Sequence, residues 1–264
     1  HRLGRGEIRC VVTDIESLAQ CCPDPTSIKE RTFDLRPGDF ISRDELITKL
    51  EIAGYSRTDP VEDPGTYAIR GNLCDIFTPS VKKPARLEFF GDEVESIRAF
   101  DPNTQKSDPI NISGVTVIPV TDFAFNEETI QRARSRIKEF SDIHEIPKKS
   151  RDSFFELLEL GRDPTLDYLF PFFTDRMGGS FIDHLDTSWK ISTLDTLGID
   201  ASYDALIENL KKDFTRDLSE GKIVAPYEKL FIGTEAIQKL IKTSSLELNE
   251  VAIGVPAQLA PQAD

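Results

Sequence analysis

The sequence predicts a multidomain chain of mixed α/β and α+β class, in which a small antiparallel α+β unit is set between stretches of strand-and-helix character. Three observations carry this expectation. A capped helix begins at Ser42 and is followed by period-2 strand runs ending in a tight hairpin; the helical period returns after Val117; and 264 residues suffice for two domains of roughly 100–200 residues each.

Ile8 to Thr13 (IRCVVT) is a β-branched run that reads as a buried strand. Ile15 to Cys21 (IESLAQC) reads as a short helix, which the Cys-Pro-Asp-Pro stretch at 22–25 ends. Only one such unit precedes Phe33, so it reads as the tail of a domain whose beginning is absent. Ser42-Arg43-Asp44-Glu45 forms a capping box ahead of Leu46, Ile47, Leu50 and Ile52, and Gly54 stands where a C-cap belongs, which predicts a helix of about ten residues. Breaks at Asp59-Pro60 and Asp63-Pro64-Gly65 lead into strands at Thr66 to Arg70, Leu73 to Phe77 and Arg86 to Phe90. The last runs through Gly91-Asp92 into Glu93 to Phe100, the signature of a hairpin with a primed turn. Later helices are expected at Glu127 to Phe140, Ser153 to Leu160, Tyr203 to Leu218 and Glu235 to Lys242. Strands are expected at Ser180 to Leu185 and Leu246 to Ile253, and a fraying tail from Pro256.

Asp and Glu outnumber Lys and Arg by 46 to 32, a net charge of -14 that repels a phosphate backbone and suits a basic partner surface. Cys10, Cys21, Cys22 and Cys74 form no CxxC pair and have no His at ligand spacing, so reduced, mostly buried thiols and a cytoplasmic setting are expected. There is no apolar run of membrane length, so no membrane partner is expected. The sequence lacks a GxxxxGK[ST] loop, and His1, His144 and His184 fall in no catalytic frame. No catalytic residue, cofactor or metal is therefore expected. The acidic set Glu88, Asp92, Glu93, Glu95 and Asp101 offers an alternative, a Mg²⁺-dependent nuclease or phosphoesterase using Glu88, Glu93 and Glu95; the competing reading is a solvated hairpin face.

Strand alternation turns Arg86, Glu88 and Phe90 one way and Leu87 and Phe89 the other. With Phe89 opposite Val94 in a two-residue-turn register, Leu87 and Phe89 belong inward and Arg86 and Phe90 outward. Arg70 alternates with Ile69 and can also face solvent, and if the strands neighbour one another a patch of two Arg and one Phe results. Two arginines beside an exposed Phe have the composition of an interface hot spot. Two other readings stand beside it: Phe90 packs under a neighbouring domain, or the arginines pair with Glu88 or Glu95 on the same face.

The stretches GTYAIRGNLCDIFTP from Gly65 and RLEFFGDEVESIRAFDP from Arg86 resemble the middle domain shared by UvrB and the bacterial transcription-repair coupling factors (Mfd). NTQKS from Asn103 and LDYLFPFF from Leu166 look more like the coupling factors, and CVVTDIESL from Cys10 is similar to the end of the family's first domain. The resemblance implies a degenerate RecA-like, P-loop-NTPase-like α/β layer without a Walker motif, interrupted by a small α+β domain like domain 2 of UvrB. The expected divisions are 1–34, the UvrA-binding domain at 35–119, a helical and α/β segment at 120–254, and a tail at 255–264. It also implies that Arg70, Arg86 and Phe90 are UvrA contacts, so that Arg86→Ala removes UvrA binding and leaves the fold intact. RNA polymerase and DNA would be partners only through the rest of the parent, an ATP-dependent translocase. Direct DNA binding by the degenerate domain is a further reading, which the acidic balance disfavours.

Overall fold

A computed structural model of the chain describes residues 8–159, 164–194, 196–242 and 246–248. Helix α1 (Ile15–Ala19) starts because the Asp14 carboxylate accepts the Ser17 N–H at 2.7 Å. Strand β1 (Cys22–Pro23) follows, then α2 (Pro25–Glu30) with Asp24 as its cap and Pro at its first position, and β2 (Phe33–Leu35). Helix α3 (Arg43–Ile52) has the expected length: Ser42 Oγ accepts the Glu45 N–H at 3.2 Å, and Gly54 takes φ +90° beyond its end.

Strands β3 (Ser56–Arg57), β4 (Thr66–Arg70), β5 (Leu73–Phe77), β6 (Ala85–Phe90), β7 (Glu93–Phe100) and β8 (Ser107–Asn111) form one six-stranded sheet in sequence order. Only β3 runs parallel to its neighbour. One face packs on α3: Tyr67, Cys74, Ile76, Leu87, Phe89, Val94 and Ile97 meet Leu46 and Leu50, which lie one helical turn apart and are fully buried. Each such side chain contributes roughly 1.5–3 kcal/mol through burial. Strand β9 (Val115–Val117) pairs antiparallel with β2 and extends the same core through Leu35, Val115 and Val117.

The return to helix begins with α4 (Glu127–Ile143), where Asn126 and Thr129 cap each other reciprocally, and α5 (Lys148–Glu159). A 3-10 turn at Pro164–Leu169 enters α6 (Phe170–Phe173), whose rings build an aromatic core; Phe123 and Phe173 stack with centroids 4.5 Å apart. Strand β10 (Met177–Gly179) pairs antiparallel with β1, tying the first segment to the last. Strand β11 (Ser192–Leu194) precedes α7 (Thr196–Ser219) and α8 (Thr234–Lys242), and β12 (Leu246–Leu248) lies parallel to β11. Parallel pairing across a helical crossover is the α/β character expected for this half.

Several expectations need correction. Ile8 to Thr13 forms no strand: Val12 is 92% exposed, and no strand among the described residues lies beside it to complete a ladder. Ser180 to Leu185 is a 3-10 turn (Phe181–His184). The Asp183 carboxylate takes the Ser180 N–H at 2.7 Å and Ser180 Oγ takes the Ile182 N–H at 3.2 Å, local bonds that replace a ladder. The strand instead precedes it at β10. Helices α5 and α7 start earlier than expected; the stops at Leu160 and Gly161 and the stretch after Leu248 lie outside the described residues. Strands β2, β8 and β9 were not foreseen, and β8 carries Pro109 as an edge strand can. Of the four cysteines only Cys74 is fully buried, its thiol pushed up to about 12 by desolvation, while Cys10 is exposed.

The exit from the sheet domain is held at Thr121. Arg31, 8% exposed, donates to Thr121 O at 2.8 Å, Thr121 Oγ1 at 3.1 Å and Asp122 O at 2.9 Å. A Cβ on Gly54 would lie 2.1 Å from Thr121 Cγ2, and φ +90° already strains any L side chain. Gly54→Ala is expected to destabilise the chain by about 1.5 kcal/mol, read as a lowered urea midpoint with unchanged slope. An unchanged midpoint would show that both Thr121 and the backbone at residue 54 relax without cost.

Candidate functional site

The sheet face turned away from α3 carries the site. Antiparallel register sets laterally paired residues on one face, so Ala68, Asp75, Arg86 and Arg98 form one row, and Arg70, Leu73, Glu88 and Ser96 the next. Phe90 and Glu93 close the hairpin beyond them, where Gly91 takes φ 64° at the first turn position. The predicted pairing of Phe89 with Val94 is present.

Asp75 is the hub of this face and is only 1% exposed. Arg86 grips it with a bidentate fork, Nε to Oδ1 at 2.7 Å and Nη2 to Oδ2 at 2.8 Å. Arg86 Nη1 also donates to Gln105 O at 3.1 Å and Ser107 Oγ at 3.2 Å, and its guanidinium lies 4.5 Å from the centre of the Phe100 ring. The hydrogen bonds to Asp75 raise the Arg86 pKa above its ordinary value. Arg70 Nη2 donates to Asp75 Oδ2 as well, and Arg70 Nη1 reaches Asp59 at 3.2 Å. Thus a single buried carboxylate neutralises one of two converging cations.

Arg70, Arg86 and Phe90 therefore share a face, although β4 does not neighbour β6 and β5 lies between them; they are not equally available. Phe90 is 76% exposed and Arg70 37%, whereas Arg86 is 13% exposed. Placing Arg86 outward in solvent is corrected here. Its guanidinium is covered by the Phe100 ring and by the turn that carries Gln105 and Ser107, so outward from α3 is not outward to water. At its exposure Phe90 does not pack under any other part of the described residues. The arginines pair with Asp75; Glu88 is taken by Arg98 and by Ser96 Oγ at 2.8 Å. Glu88 is thus held in an ion pair, and among the described residues no group of three or more His, Cys, Asp or Glu is arranged to hold a metal.

Two residues were missed. Asp75 interrupts the apolar run LCDIF, and an Asp inside a strand flanked by two arginine-bearing strands signals a buried ion pair. Phe40, 77% exposed, pairs antiparallel with Glu93 on the side opposite Phe90. It precedes the capping box with no periodic pattern around it, so sequence carried no sign of its place.

With this geometry the chain can be set beside known proteins. Residues 33–123 match the family described as the UvrB interaction domain. The "Transcription-repair-coupling factor" of Myxococcus xanthus is 32% identical over 211 residues, covering 78% of this chain and 18% of that protein. Its counterpart in Escherichia coli K12 is 32% identical over 165 residues, 62% of this chain and 14% of the relative. The "UvrABC system protein B" of Clostridium perfringens is 40% identical over 121 residues, 44% of this chain and 18% of the relative. The sheet domain thus lies within the stretch that matches the UvrB interaction domain. The chain that carries it is a relative of the transcription-repair-coupling factors, as its sequence motifs indicate. It spans less than a fifth of the length of those it matches. Among the described residues no helix is long and apolar enough to cross a membrane.

Proposed function

We propose that the face bearing Arg70 and Phe90 docks UvrA, and that this chain is the UvrA-recruiting part of a transcription-repair-coupling factor that links stalled RNA polymerase to nucleotide excision repair. The docking domain spans 35–119. The flanking segments 1–34 and 120–254 are the two parts of a degenerate RecA-like layer, followed by a tail at 255–264. The chain has no motor or enzymatic activity of its own, works in the cytoplasm, and meets RNA polymerase and DNA only through other parts of a longer, ATP-dependent translocase.

The observation that carries this reading is Phe90: a large ring 76% exposed at a hairpin tip, on the same face as a partly exposed arginine. Such a ring contributes little to the fold and gains from burial only against a partner. Arg86 belongs to this site as the support that fixes Asp75 and so orients Arg70. Titration calorimetry of the chain against purified UvrA tests the reading. Arg70→Ala is expected to weaken binding by about 1 kcal/mol, roughly fivefold, with the melting temperature nearly unchanged. A well-folded wild-type chain that does not bind UvrA would overturn the docking role.

A further inference from the structure

The hairpin tip presents a second aromatic ring that the proposed contact set lacks. Ile41 N donates to Asp92 O at 2.9 Å and Val94 N donates to Asp39 O at 2.9 Å, bonds that bracket Phe40 and Glu93 as a directly opposed pair. Glu93 is in turn opposed to Phe90 across the β6–β7 hairpin. Opposed residues project from the same side, so Phe40, Glu93 and Phe90 form one lateral row turned away from the α3 core, while Ile41 and Val94 face into it. The two rings are exposed 77% and 76%. Two strand spacings separate their backbones, about 10 Å, and leave a gap above Glu93.

We propose that Phe40, Glu93 and Phe90 form one seat for a Lys or Arg side chain of the docking partner; the proposal rests on the UvrA docking reading and specifies its chemistry. A cation centred over the gap lies about 5 Å from either flanking backbone, so both rings can come within the ~6 Å reach of a cation–π contact. The Glu93 carboxylate beneath it supplies the counter-charge. Unlike Glu88, which Arg98 occupies, Glu93 has no ion-pair partner among the described residues. Asp92 and Glu95 flank it in sequence, and the net charge of -14 favours a basic partner surface. The seat continues the face already bearing Arg70, so one partner can engage both.

The test is calorimetry of UvrA against the wild-type chain, Phe40→Ala, Glu93→Gln and the double variant, at low and high salt, with thermal melts alongside. Each single variant is expected to weaken binding at least about fivefold while melting like the wild type, because neither change empties the core. Since both residues would hold the same cation, the double variant should lose less than the product of the two single losses, and Glu93→Gln should flatten the salt dependence. Loss with Phe40→Ala but none with Glu93→Gln would identify an apolar contact and overturn the cation seat. If both variants bind normally while Phe90→Ala does not, the seat falls and the docking reading survives. No binding by the wild type overturns both.

Discussion

Arg86→Ala is expected to destabilise the sheet domain by about 3 kcal/mol, the largest stability effect among the face residues. Asp75 is 1% exposed and receives both members of the Arg86 fork; removing them leaves a buried carboxylate with only Arg70, itself shared with Asp59. The substitution also strips the Phe100 ring of its cation, leaves a void beside that ring, and frees Gln105 O and Ser107 Oγ. Urea unfolding measures the loss, and hydrogen exchange at β5 and β6 locates it. A companion variant, Asp75→Val with Arg86→Met, replaces the pair with apolar groups of similar size and should recover much of that stability. A loss below about 1 kcal/mol for Arg86→Ala would mean that Asp75 relaxes onto water or onto Arg70. It follows that lost UvrA binding in an Arg86 variant would report the fold before it reported a contact, contrary to what sequence motif alone implies.

Phe90→Ala should behave in the opposite way. Binding to UvrA is expected to weaken by about 2–3 kcal/mol, roughly 30- to 150-fold, with stability unchanged to within about 0.5 kcal/mol. The ring is exposed and stands at the end of a two-residue turn, so its truncation opens no cavity. What it contributes appears only when a partner desolvates it. Phe90→Leu, which keeps apolar bulk and loses the ring face, should recover part of the affinity. Full affinity of the Ala variant at an unchanged melting temperature would remove Phe90 from the docking surface.

The elements most legible in the sequence are those whose residues carry their own reason for the structure. The Ser42 cap and Gly54 stop bound α3 because both act within one turn of the backbone, and the Gly91-Asp92 turn sets the register that places Phe89 opposite Val94. Ile8 to Thr13 failed for the converse reason: β-branched residues favour extended backbone, but a strand exists only where another strand accepts its hydrogen bonds. Ser180 to Leu185 failed because two short polar side chains bonded their own backbone first.

By itself the sequence determined the type of the sheet domain and the sharing of one strand face by Arg86 and Phe90, because alternation is a local property of an extended chain; that Arg70 joins them was set by the pairing of β4 through β5 to β6. Only the tertiary structure decided which of the three meets water. Burial on a sheet's second face depends on what distant segments cover it: the Gln105 turn and the Phe100 ring cover Arg86, while nothing among the described residues buries Phe90, and the 36–41 loop brings Phe40 beside it across Glu93.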